Sequence, residues 1–259
     1  MIIRLERHAA HPLRLNGPLI ESALGDVVIG EVCEVRRHWR LPDIAARAQV
    51  IGFKPGSVLL SLLGDAKGLS RESMIVPTGA TLRLTCSDAL LGSVVDPQGN
   101  IVERLAPSTA VAQQDYPVDA DPPSYQQRRP VAQPLRTGIR VIDGLLTCGV
   151  GQRIGIFAAA GSGKTTLINM LINHTDADVF VIGLIGERGR EVTEFIEHLR
   201  QSEKRSRCVV VYATSDFSSV DRCNSALQAT AIAEYFRDQG QRVVLLLDSL
   251  SQYAALKPV

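Results

Sequence analysis

The chain has 259 residues, 45% apolar and 21% charged, with a net charge of +1. This is the balance of an ordinary soluble globular protein with room for one large or two ordinary domains. It excludes a global electrostatic case for a nucleic-acid partner, and no run approaches the roughly 18 apolar residues of a membrane span.

The opening "MIIRLERHAAHPLRL" carries charges where a signal peptide needs its apolar stretch, so the protein is expected not to be exported. Three short β-like runs follow, at 27–37, 48–53 and 57–64, punctuated by Gly25-Asp26, Pro55-Gly56 and Gly64-Asp65. Their spacing predicts a small β-barrel domain over residues 1–79. A proline-studded stretch at 115–134 has no usable period and reads as an extended connector on a domain surface. Then the rhythm changes. Apolar strand patterns at 152–158, 178–186, 207–215 and 241–249 alternate with helical ones after 163, at 190–200 and from Val220 onward. That alternation predicts a parallel sheet covered on both faces, with residues 80–259 forming a second domain.

The stretch "AAAGSGKTT" (158–166) nearly spells the phosphate loop G-x-x-x-x-G-K-[ST], with Ala158 at the first glycine position. Gly161 and Gly163 permit the backbone angles and close approach that such a loop needs. With Ala160, Ser162 and Thr166 they form the candidate phosphate cradle at a helix start. Lys164 is placed to neutralise β- and γ-phosphate charge, and the Thr165 hydroxyl to ligate Mg²⁺. Read as a strand exit, position 158 tolerates a methyl group. Asp248 ends the run "VVLLLDS", as an acid ordering Mg²⁺ should, and Glu187 follows another strand pattern, where a carboxylate can act as general base toward water.

Five scattered cysteines without a C-x-x-C pair read as reduced, buried thiols. The five histidines show no metal-ligand pattern, and Trp39 reads as a barrel-surface or subunit-contact residue.

Taken in order, "LLGSVVDPQGNIVE" (90–103), "RTGIRVIDGLLTCGVGQRIGIF" (136–157), "GLIGERGREVTEF" (183–195) and "AEYFRDQG" (233–240) resemble the catalytic subunits of the rotary and secretion ATPase family. That family includes the F-type ATP synthase β subunit, the flagellar export ATPase and the type III secretion ATPase. Non-catalytic subunits carry Gln where this chain has Glu187. "DGLLTCGVGQR" is similar to the protein-export branch, and its Cys148 leans toward the virulence-type secretion ATPase.

The resemblance implies a RecA-like P-loop NTPase sheet with flanking helices behind an N-terminal β-barrel. It implies ATP and Mg²⁺ as cofactors, with Glu187 as the water-activating base. Arg188 and Glu191 support the γ-phosphate site and its Mg²⁺ shell, and Asp248 is the second acid of the site. It also implies a homohexamer, stalk and stator proteins, an export gate and chaperone–effector complexes as partners. The expected place is the cytoplasm, at the inner face of the inner membrane without insertion. Gln252 replaces the family's Arg, and the last residues depart from its pattern. The family's arginine finger and C-terminal helical domain would lie beyond Val259, so these residues alone are expected to be a weak ATPase or none. The alternatives are a flagellar export ATPase, a truncated non-hydrolysing nucleotide binder, and an RNA-translocating helicase, which residues 1–79 disfavour for want of a stacking array.

Overall fold

A computed structural model describes residues 8–38, 40, 43–108, 113–159 and 161–256, without the side chains of 252, 255 and 256. Trp39 and Ala160 lie outside the described residues.

The first sheet comprises β1 (Pro12–Asn16), β2 (Leu19–Ser22), β3 (Glu31–Arg36), β4 (Ile44–Lys54), β5 (Ser57–Leu63) and β6 (Met74–Thr81). Their order is β1-β2-β5-β4-β3-β6, every pairing antiparallel. Ala10, just before β1, exchanges two backbone hydrogen bonds with Ile75 of β6, at 3.1 and 2.8 Å, and so closes the sheet into a barrel. Closure leaves no long unpaired edge. Side-chain alternation fills the interior: Cys33 and Val35 point in with Ile20, Ala48, Val50, Leu60, Leu62 and Ile75, while Glu34 and Arg36 are partly exposed. Glu31 is the buried exception. Its carboxylate accepts the Val28 and Gly79 amides, at 3.1 and 2.8 Å, and pins the loop before β3 to β6. The run at 27–37 therefore contributes a strand only from Glu31.

A two-stranded ribbon of β7 (Arg83–Cys86) and β10 (Gln114–Pro117) leads onward, so the proline-rich connector begins as a strand. Its remainder, 119–134, is exposed throughout and carries one 3-10 turn, at Tyr125–Gln127.

The second sheet runs β13 (Val243–Asp248), β11 (Val179–Ile185), β12 (Cys208–Ala213), β8 (Ser93–Val95) and β9 (Ile101–Arg104), parallel except for the antiparallel edge strand β9. On one face Val181, Val209 and Val211 pack with Ala229, Ile232 and Phe236 of α4 (Ser219–Asp238). On the other, Phe180, Ile182 and Val210 meet Ile168 and Ile172 of α2 (Lys164–His174), with Val192, Phe195 and Leu199 of α3 (Gly189–Gln201). Burial on both faces explains why these strands read as unbroken apolar runs. Two short α-helices, α1 (Arg140–Leu145) and α5 (Leu250–Leu256), and 3-10 turns at Asp88–Leu90 and Glu203–Arg207 complete the described elements.

Gly183 in β11 sits where β13 and α4 leave no room for a side chain. A Cβ there would lie 2.7 Å from Leu247 Cδ2 and 3.2 Å from the Ala229 Cβ. Gly183→Val should lower stability by about 1–3 kcal/mol through overpacking. Urea denaturation checks this, and an unchanged midpoint would contradict the packing.

One sequence expectation is overturned. Residues 152–158 form no strand; they run irregular and exposed, with Phe157 97% and Ile154 55% accessible. A strand exists through its ladder rather than its apolarity. Among the described residues β13 pairs only with β11, and its outer edge carries no ladder to this segment. Ala158 is therefore not at a strand exit, and the phosphate loop leads into α2 from an irregular segment.

A polar seam ties α4 to the barrel through Asn224 and to the turn between β8 and β9 through Asp221 and Gln228. Asn224 Nδ2 donates to Gln49 Oε1 of β4 at 3.2 Å, Gln98 Nε2 to Asp221 Oδ1 at 3.3 Å, and Gln228 Nε2 to the Pro97 carbonyl at 2.6 Å. All three α4 residues are buried. Burial pushes the Asp221 carboxyl above its ordinary range, and hydrogen bonds from Ser218, Gly64 and Gln98 oppose it.

Candidate nucleotide site

The site gathers at the C-terminal ends of β11 and β13, where ligands of open α/β sheets bind. Gly161 and Gly163 both take left-handed backbone angles, φ +76° and +94°, and Gly163 caps the N-terminus of α2. A Cβ built on either would meet nothing within 4 Å, so the loop borders open space. Ser162 donates its hydroxyl to the Ala159 carbonyl at 2.6 Å and closes the turn. Thr165 and Thr166 are exposed in the first turn of α2, whose free amides and dipole favour an anion.

Lys164, the first residue of α2, reaches across to β13. Its Nζ lies 2.5 Å from Asp248 Oδ1, with Asp248 buried at the strand end. That bond, with the Asp248 charge and then those of Glu187 and Glu191, raises the Lys164 pKa against the opposing effect of burial. Glu187 follows β11 through Gly186, whose amide donates to the Ala213 carbonyl at 2.7 Å, and the Glu187 carbonyl accepts the Ser215 amide at 3.0 Å. These bonds fix the loop against the end of β12. Burial pushes the Glu187 carboxyl up to about 7, helped by a hydrogen bond with Glu191 and the nearby Asp248 charge, with Lys164 opposing. Arg188 caps α3 and is exposed, as is Glu191 in its first turn.

The structure thus brings together Lys164, Asp248, Glu187 and Glu191, and sets Gly161 to Thr166 beside them. The direct Lys164–Asp248 bond and the support from Ser215 have no sequence signal, since each joins segments that only the sheet brings together. A small cleft lined by Asn169, Ile172, Asn173 and His198 lies further along α2 and takes no part.

The residues fit Mg²⁺ of a particular kind. Among the described residues no group of three His, Cys, Asp or Glu side chains could cage a metal. One buried carboxylate and one hydroxyl beside an open phosphate loop suit an ion that brings phosphate and water ligands with it. Nor is any helix, among the described residues, long and apolar enough to cross a membrane.

A glycine loop capping a helix, beside acids at the ends of parallel strands, behind a closed barrel, defines the α/β P-loop class with an N-terminal β-barrel. The β-barrel domain of the ATP synthase alpha/beta family matches residues 13–79, and its nucleotide-binding domain matches 138–257. The chain belongs to the ATP synthase alpha/beta family. It is 57% identical over 257 residues to the SPI-1 type 3 secretion system ATPase of Salmonella typhi, covering 99% of this chain and 60% of that one. It is 42% identical over 250 residues to the flagellum-specific ATP synthase of Treponema pallidum, covering 96% and 55%. The solved structure of the assembled ATPase EscN with its central stalk EscO, from enteropathogenic E. coli, matches with a TM-score of 0.82 at 38% identity, covering 95% of this chain and 59% of that one. The chain therefore spans little more than half the length of these relatives.

Proposed function

We propose that these residues are the barrel and nucleotide-binding part, divided near residues 79 and 80, of an ATPase that energises protein export through a type III secretion apparatus. The observation that carries the reading is the convergence of Lys164, Asp248 and Glu187 on one sheet end beside the glycine loop. In this reading Gly161 to Thr166, with Ala160, cradle the phosphates of ATP, and Lys164 balances their charge. Thr165, Asp248 and Glu191 serve Mg²⁺, which would polarise the transferred phosphoryl group. Glu187 takes the proton of the attacking water, and Arg188 stands beside the γ-phosphate. Titrating the protein with Mg-ATP and following phosphate release tests the site, and absence of binding would end the reading.

Glu187 gives this function a pH signature. A base must be ionised, so its working form gains population as pH rises through about 7, the value to which burial pushes it. kcat/KM should climb between about pH 6 and 8 and flatten above. The stability effect runs the other way. A carboxyl whose folded pKa exceeds its unfolded value loses stability as pH rises from the ordinary carboxylate range to about 7. Glu187→Gln should remove that decline, seen as a smaller difference in Tm between about pH 5 and 8. An equal difference in both proteins would place the raised pKa elsewhere.

The secretion assignment follows the higher identity to the Salmonella relative, and the flagellar relative supports the second reading. Disrupting the gene should stop effector secretion and leave swimming intact; the reverse would favour flagellar export. EscN is described as assembled and in complex with a central stalk. By analogy the proposal extends to a homohexamer that meets stalk and stator proteins, an export gate and chaperone–effector complexes at the cytoplasmic face of the inner membrane.

A further inference from the structure

Two groups expected to hold different ligands hold each other. The Lys164 ammonium sits 2.5 Å from Asp248 Oδ1, their side chains 34% and 12% exposed. In the function proposed above, on which this inference rests, the ammonium belongs to the phosphates and the carboxylate to Mg²⁺. We propose that the Lys164–Asp248 pair is a latch of the nucleotide-free site, one that makes release of Lys164 to phosphate and engagement of Asp248 by a divalent cation interdependent.

The electrostatics give the reason. Phosphates that take the ammonium leave the Asp248 carboxylate buried, unpaired and close to charge of its own sign. The other charges acting on Lys164 are the carboxylates of Glu187 and Glu191, which offer Asp248 no compensation. An uncompensated buried charge is strongly unfavourable. A divalent cation arriving with the phosphates gives Asp248 a new partner as it gives up the old one. Metal-free ATP exchanges the latch for a lysine–phosphate pair and leaves Asp248 without a partner; Mg-ATP exchanges one ion pair for two. Coupling of this kind is reciprocal, so the latch also weakens Mg²⁺ binding until phosphate has drawn Lys164 away.

Two measurements on the intact protein test the latch. In the first, the nucleotide-free protein is treated briefly with an amine-acetylating reagent and the modified fraction at each lysine is read by mass spectrometry. Asp248→Asn should speed modification of Lys164 about tenfold, within the usual range of such couplings. Lys204, whose ammonium donates to the Thr175 carbonyl at 2.7 Å, is the internal reference and should not change. An unchanged rate at Lys164 would overturn the latch. In the second, ATP is titrated in EDTA. Asp248→Asn should bind metal-free ATP about tenfold tighter than the parent, with a smaller gain on adding Mg²⁺. Equal or weaker metal-free binding would overturn the proposal. If Asp248→Asn fails to fold, as judged by its melting curve, Asp248→Ala takes its place. Failure of the parent to bind Mg-ATP would instead defeat the nucleotide reading, while the acetylation rates still decide whether the pair is closed.

Discussion

Lys164→Ala should reduce Mg-ATP binding to an undetectable level at ordinary titration concentrations. Its ammonium is positioned at the start of α2, within reach of anything seated on the glycine loop. A charge-assisted hydrogen bond contributes about 1.5–3 kcal/mol, and with the Coulomb attraction its loss amounts to about a hundredfold in affinity or more. In the free protein the same change leaves the buried Asp248 carboxylate without its lysine partner, so some loss of stability should accompany the loss of binding. Calorimetric titration decides the matter, with circular dichroism to confirm the fold. Unchanged affinity would remove Lys164 from the site.

Glu187→Gln separates chemistry from binding. The amide keeps the size of the side chain and can still hydrogen-bond with Glu191, but it cannot take a proton. General-base assistance is worth about 10²–10⁴-fold, so turnover of the assembled protein should fall by that factor while nucleotide affinity stays within a few-fold. Removing the acid also removes a negative charge near the phosphates, so any change in affinity should be a tightening. Single-turnover phosphate release is the measurement. A parent-like rate would mean that another group activates the water, and Glu191 would be the next candidate.

The candidate site was legible in the sequence to the extent that its residues end or begin strongly patterned segments. Asp248 closes an apolar run, Glu187 follows another, and Lys164 opens a helix after two glycines. A sheet buried on both faces writes such runs plainly. The barrel was legible only in its apolar strands; β1, β2 and β6 are short or mixed, and closure through Ala10 and Ile75 leaves no local mark. The strand expected at 152–158 failed for a physical reason, since apolar periodicity reports what a segment could bury, while pairing depends on what stands beside it. The Lys164–Asp248 bond and the contacts of α4 join positions far apart in the chain, 84 residues in the first case and 175 between Gln49 and Asn224. No window along the sequence could contain them.

Helix α4 packs Ala229, Ile232 and Phe236 against the sheet while Asp221, Asn224 and Gln228 meet barrel and hairpin partners. For inheritance this is a restrictive arrangement. A surface helix drifts freely on its wet side, but α4 has buried obligations on two sides, one apolar and one made of donors matched to acceptors. A change at Gln49 would strand the amide of Asn224, and a change at Gln98 would take one donor from the buried Asp221 carboxylate, leaving those of Ser218 and Gly64. Substitutions along this line should therefore travel in compensating pairs among descendants of the same ancestor. A barrel borrowed from a distant cousin should be accepted only when the facing residues of α4 are borrowed with it.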